Sequence, residues 1–145
     1  YAESLADELG LMPTPEDRFG RLAARRWRLA RVLVDLGVHS RLPVPDDVAA
    51  LPGACHEWNR ATVTAVLRHH TVISEGRLRF EVSRHLGWPA QPLAYAVGER
   101  VWQAGRRRAQ AQARTEGGEL DLRAFHNRGI DLGSVGLDLL ASALH

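Results

Sequence analysis

The sequence has 145 residues, of which 45% are hydrophobic and 25% are charged, and 19 basic and 17 acidic residues leave a formal net charge of +2. This composition is that of a folded chain with a core, and no segment approaches the roughly 20 apolar residues of a membrane span. The near-balanced charge argues against nucleic acid as a partner, because such binding needs a concentrated basic surface. The single cysteine, Cys55, cannot form an internal disulfide, which favours a cytoplasmic location.

The N-terminal part predicts two helices. Residues 1–9 place leucines at i, i+4 spacing, as at the end of a helix that Gly10 terminates. Thr14 can cap the second helix, since a proline and two acidic residues follow it. Apolar residues then recur every three or four positions, so we predict that this helix runs to about Leu36 and stops at Gly37.

The periodicity fails over about 40–58, where three prolines and a glycine predict an irregular loop. A helix is predicted to resume near Asn59, and Ser74 can cap the next one. Prolines interrupt the chain over 88–92, and a longer helix follows until the glycine pair at Gly117.

Two further helices are predicted near the C-terminus. Asp121 can cap a short helix, and Gly133-Ser134 leads into the last one, with Ser134 as a candidate cap. No segment shows the alternation of a strand. We therefore expect an all-α fold, an irregular multi-helix array of about six to eight helices, with residues 1–145 forming a single helical segment.

Metal ligands are not spaced for a site within the chain. His69 and His70 are adjacent, so on a helix they point about 100° apart. Cys55, His56 and Glu57 lie in the predicted loop. Because no H-x-x-x-H, C-x-x-C or H-E-x-x-H motif is present, no metal site is predicted from this chain alone.

The tract 88–99 is the most unusual segment for chemistry. Two prolines bracket a turn that opens a helix, with Tyr95 in its first turn. A phenol at such a position can donate a hydrogen bond to a developing oxyanion. The alternative is a half-buried core tyrosine whose hydroxyl has a partner within the fold.

Several segments of the sequence, in their order along the chain, resemble those of a known family. The start, Tyr1–Gly10, is similar to the tail of an E-G-W-A-L-Y-A-E-S-L-A motif in the bacterial family designated domain of unknown function 885. Further segments follow in the same order, namely Thr14–Leu22, Val34–Ser40, Glu81–Arg84, Trp88–Gly98, Phe125–His126 and Gly133–Leu140.

The resemblance implies the C-terminal part of a gluzincin-like helical metallopeptidase fold that hydrolyses a peptide or small amide substrate. Zinc would be held in the intact parent by an H-E-x-x-H-type helix and a later Glu, both expected upstream of Tyr1. The chain would then bury an apolar face against its missing N-terminal half or a companion chain.

The resemblance also assigns residues. Tyr95 matches a tyrosine that would donate to the oxyanion, and Glu3 would orient a metal ligand or a neighbouring arginine. Asp35, His39 and Arg84 match positions with roles in the cleft or in binding a substrate carboxylate. For Arg84, a buried ion pair is an equal alternative.

The sequence also departs from the family pattern. Ala90 replaces a glycine, Pro92 an alanine and Ala96 a lysine, while Gly136 stands where a proline is typical. Such changes are expected in a degenerate or repurposed member. The alternative function is accordingly a non-catalytic helical domain that binds a protein or a small ligand.

Overall fold

The computed structural model describes residues 1–144, which form helices and connecting segments without a strand. The helices are α1 (Ala2–Glu8), α2 (Pro15–His39), α3 (Asp46–Ala49), α4 (Arg60–His70), α5 (Glu75–Gly87), α6 (Leu93–Thr115), α7 (Leu122–Asp131) and α8 (Leu137–Ala143). The predicted all-α class is confirmed. None of these helices combines the length and the apolar character that crossing a membrane requires.

Side-chain caps begin most of the longer helices. Thr14 and the third residue of α2 form a reciprocal capping box, and Asn59, Ser74 and Asp121 each accept backbone N–H bonds at the starts of α4, α5 and α7. The predicted caps at Thr14, Ser74 and Asp121 are confirmed, and Asn59 was predicted only as the place near which a helix resumes. The predicted cap at Ser134 is wrong, because α8 begins after Gly136 without a side-chain cap.

The end of α2 differs from the prediction. The helix continues through Gly37 to His39. A Cβ atom at residue 37 would lie only 2.1 Å from the Trp58 indole, so glycine is required there for close packing and not for a helix stop. Trp58 belongs to the predicted irregular segment, which also contains the four-residue helix α3.

The chain divides into two compact units, described separately. The larger unit comprises Glu3–Ala96, and the smaller unit comprises Tyr1–Ala2 with Val97–His145. In the larger unit, α2, α4 and α5 pack around one apolar core. Its buried members are Ala30, Val34, Val44, Val48, Val63, Val66, Leu67, Leu78 and Val82.

The smaller unit has its own apolar cluster, with Phe125 and Leu144 buried beside Trp102. Two glycines allow close contacts there. A Cβ atom at Gly105 would lie 2.6 Å from Leu144, and one at Gly129 would lie 2.2 Å from Trp102. Any larger residue at either position would therefore displace a packed side chain.

The first half of α2 exposes large apolar side chains. Phe19 and Leu22, which belong to the predicted apolar face, are 72% and 55% exposed, and Leu29 is 52% exposed. The residues of α2 that are buried start at Ala30 and include charged ones. Hydrophobic periodicity thus predicted the helix correctly but not which part of it is covered.

Candidate functional site

Four ionisable side chains are buried in the larger unit, on facing helices. Arg31 and Asp35 lie one turn apart on α2, and Glu81 and His85 lie one turn apart on α5. Their exposed fractions are 9%, 2%, 0% and 1% respectively. We call these four residues the polar cluster. Burying an unpaired charge costs free energy, so the partners of each of these four side chains are described in turn.

Arg31 and His85 meet directly. The Arg31 Nε–H donates to Nε2 of His85 at 3.1 Å. Because an arginine cannot accept, His85 Nε2 carries no proton, and the neutral ring holds its proton on Nδ1. Burial, aided by the charge of Arg31, lowers the pKa of His85 to about 4, although Glu81 opposes this. His85 is therefore neutral at pH 7.

Glu81 is the carboxylate around which the cations of α5 gather. Its Oε1 accepts from Nε of Arg77 at 3.1 Å. Its Oε2 lies 3.7 Å from Nη1 of Arg84 and 3.5 Å from Nε2 of His85. The latter contact is not a hydrogen bond, since Nε2 carries no proton. The charge of Glu81 is thus shared by two arginines of its own helix.

Asp35 fixes the tract that leads into α6. Both of its carboxylate oxygens accept the backbone N–H of Ala90, at 3.0 and 3.1 Å. Ala90 has a φ of +67°, in the left-handed region that favours glycine. The structure therefore gives a physical reason for the glycine expected at this position. His39, one turn beyond Asp35, donates from Nε2 to the backbone oxygen of His85 at 2.8 Å.

Tyr95 stands at the start of α6 beside two arginines. The guanidinium carbons of Arg28 and Arg31 lie 5.7 and 6.0 Å from the centre of its ring. The side chain is 53% exposed and lies outside the apolar core. Glu3 accepts hydrogen bonds from both terminal nitrogens of Arg28, and this contact lowers the pKa of the Glu3 carboxyl.

Arg84 is occupied within the fold. Its Nη2 donates to the side-chain oxygen of Gln91, and its guanidinium lies 5.8 Å from the Trp88 ring. With Glu81 3.7 Å from its other terminal nitrogen, Arg84 forms the ion pair that the sequence offered as an alternative.

Asp35, His39, Arg84, Tyr95 and Glu3 therefore all lie in the larger unit, and the polar cluster connects them. Asp35 and His39 hold backbone groups, and Glu3 holds an arginine. Sequence reasoning missed three members of the cluster, Arg31, Glu81 and His85. The available signal was spacing, because each helix repeats charged residues at i, i+4 within an apolar run.

Two buried donors of the cluster have no hydrogen-bond partner among the described residues. They are Nη2 of Arg31 and Nδ1 of His85. Most buried polar groups in proteins are paired, so unpaired donors require an explanation such as a bound molecule. Arg31 and His85 are thus the members of the cluster that keep a donor for a further hydrogen bond, and Arg31 is the charged one.

A separate groove lies elsewhere in the larger unit. It has a volume of about 420 Å³ and is lined mainly by apolar atoms of α2. Its lining residues are Leu22, Arg25, Arg26, Leu29, Ala30, Leu33 and His70. None of the predicted site residues lines it.

No group of three His, Cys, Asp or Glu side chains within residues 1–144 is arranged to hold a metal ion. The zinc that the family resemblance implies is therefore not fitted by the described part of this chain.

Comparison with known families gives one match. The model of a family described as "Bacterial protein of unknown function (DUF885)" matches residues 1–144. A comparison with curated proteins finds no match.

Proposed function

The chain belongs to the family of bacterial proteins of unknown function DUF885, and we propose that it supplies the substrate-binding wall of a peptidase or amide hydrolase. In this proposal the chain is the C-terminal part of a gluzincin-like fold. Its residues bind and orient a peptide or a small amide substrate. The single observation that carries the proposal is the half-exposed Tyr95 ring beside Arg28 and Arg31.

The position of Tyr95 suits a donor to a developing negative charge. Tyr95 is 53% exposed and lies outside the apolar core, which supports a role in contacting a ligand. Two guanidinium groups beside the ring favour the gathering of negative charge there. A donor held in place before the reaction stabilises an oxyanion without the cost of reorganisation.

The contacts around Tyr95 explain how it would be held. Asp35 fixes Ala90, five residues before Tyr95, and so fixes the turn that opens α6. Glu3 holds the guanidinium of Arg28 that faces the ring. Asp35 and Glu3 are accordingly positioning residues, whereas Tyr95 would touch the reacting atoms.

Zinc, if the intact protein uses it, would be held by residues outside this chain. It would supply an activated water for attack on the amide carbonyl. The exposed apolar side chains Phe19, Leu22 and Leu29 offer a surface for the partner in that arrangement, the N-terminal half or a companion chain.

The test is Tyr95→Phe in the intact protein, assayed on a panel of N-acylated dipeptides with and without a chelator. We expect kcat to fall by about 10²–10³ while folding stability hardly changes, because only the hydroxyl group of a half-exposed side chain is removed. Phe80→Leu, at another exposed aromatic residue of the larger unit, is the matched control and should keep full activity. An unchanged kcat in Tyr95→Phe would remove the oxyanion role.

A non-catalytic binding domain is the second candidate. The observation in its favour is the apolar groove on α2, which contains neither Tyr95 nor Arg84. Under this alternative the intact protein hydrolyses no member of the same panel, with or without added zinc. Chelator-sensitive hydrolysis that depends on Tyr95 would exclude it.

A further inference from the structure

Arg31 is a buried cation without a carboxylate of its own. The side chain is 9% exposed, and its Nε–H is used on a neutral histidine ring. Within residues 1–144, the buried Glu81 forms its ion pairs with Arg77 and Arg84, and none is formed by Arg31.

Asp35, the second buried carboxylate, forms its hydrogen bonds with a group other than Arg31. Both oxygens of Asp35 accept the N–H of Ala90. A guanidinium group offers five N–H donors in a planar fork that matches a carboxylate. Nη2 of the Arg31 guanidinium therefore has no hydrogen-bond partner in the described chain. It is buried, and hydrogen bonds between charged groups are stronger in the protein interior than in water.

We propose that Arg31 binds the terminal carboxylate of a peptide-like substrate, placed so that its last amide bond lies beside Tyr95. This inference rests on the proposed function and adds the class of substrate. It assigns Arg31 as the specificity residue for a free C-terminus.

Covalent geometry supports the placement. In a peptide, three bonds separate the terminal carboxylate carbon from the carbonyl carbon of the last amide, a span of at most about 4 Å. The Arg31 guanidinium carbon lies 6.0 Å from the centre of the Tyr95 ring. A carboxylate on Arg31 thus brings the last amide within the neighbourhood of the phenol.

The surrounding charges favour an anion at this position. Burial lowers the pKa of Arg31, and the positive charges of Arg84 and Arg28 lower it further, while Glu81 opposes them. His85 is neutral at pH 7, so the hydrogen-bond partner of Arg31 supplies no negative charge, and Glu81 is shared with Arg77 and Arg84. A terminal carboxylate would add a negative charge paired directly with Arg31, whereas a terminal amide would not.

The test follows the Arg31 Nε–H signal of the full chain by NMR during titration with N-acetyl-Ala-Ala. The matched probes are its C-terminal amide and N-acetyl-Asp-amide, which moves the carboxylate to a side chain. We expect saturable binding of the free acid that is roughly 10- to 100-fold tighter than that of the amide, because a hydrogen-bonded charge is lost. Inorganic phosphate is the fourth probe.

Variants give a second measurement. Arg31→Lys removes the Nε–H signal, which assigns it, and should weaken binding of the free acid while leaving the amide unchanged. Arg79→Lys, at an exposed arginine of α5, is the matched control and should bind like the wild type. If Arg31→Lys does not fold, the comparison of the free acid with its amide on the wild-type chain decides alone.

Three results would overturn the inference. They are equal binding of the acid and the amide, no binding of the acid, or binding of phosphate or N-acetyl-Asp-amide as tight as that of the acid. The binding readout needs no turnover. A loss of acid selectivity is therefore distinct from failure of the proposed function, which Tyr95→Phe tests through kcat.

Discussion

The apolar core and the polar cluster of the larger unit share α2 and α5 but are stabilised in different ways. The core is built of Val, Leu and Ala side chains whose burial is favourable wherever they pack well. The cluster buries Arg31, Asp35, Glu81 and His85 only because each has a partner. The two helices therefore bury an apolar surface and a charged surface. Only the charged surface needs hydrogen bonds and ion pairs to be stable.

The largest effect is expected from Glu81→Gln, which tests whether the polar cluster depends on paired charge. The change keeps the shape but leaves Arg77 and the half-buried Arg84 without the buried carboxylate that they share. We expect a loss of about 3–5 kcal/mol in the free energy of unfolding, measured by urea denaturation of the full chain. Glu75→Gln breaks an exposed ion pair with Arg68 and should change little. Equal losses of unfolding free energy in the two variants would mean that water reaches the polar cluster and screens its charges.

The matching change in the core is Leu78→Ala. Leu78 is 2% exposed on α5, and its truncation leaves a cavity between packed helices. We expect a loss of about 2–5 kcal/mol that does not depend on pH. A loss that varied between pH 7 and pH 5 would indicate that the core and the cluster unfold as one electrostatic unit.

The histidine of the cluster predicts a pH dependence. Because the folded pKa of His85 is depressed from 6.5 to about 4, folding favours the neutral ring. Stability is therefore complete above pH 6.5 and is lost as the pH falls towards 4. Between pH 7 and pH 5 the loss should be about 2 kcal/mol in urea denaturation.

The variants assign that dependence to one ring. His85→Gln should flatten the profile between pH 7 and pH 5, whereas His69→Gln, at an exposed position, should leave it as in the wild type. A slope that persists in His85→Gln would assign the titration to a different group.

The smallest effect is expected outside both regions, at the start of α2. Thr14→Ala removes an exposed capping box in which the Thr14 Oγ1 accepts the Asp17 N–H at 3.1 Å. The expected loss is about 1 kcal/mol. Thr14→Ser keeps the acceptor and should retain most of that energy, and a loss as large as that of Leu78→Ala would contradict the local nature of the cap.

The site was predictable in part. Tyr95, Glu3, Asp35, His39 and Arg84 were named from the resemblance, and the structure gives each of them specific contacts; their functions remain predictions. Arg31 was not named, because a sequence shows an arginine on a helix but not that its partners are already used. For the same reason the sequence did not show why residue 37 is a glycine. Gly37 packs against Trp58, and Trp58 lies in a segment without helical periodicity.

The sequence by itself determined where α2, α4, α5 and α7 begin and that the described chain is all-α, because caps and i, i+4 contacts are local along the chain. Only the tertiary structure decided which face of α2 is covered, and that Arg31 meets His85, 54 residues away. Burial and charge pairing are set by long-range contacts, which local periodicity does not encode.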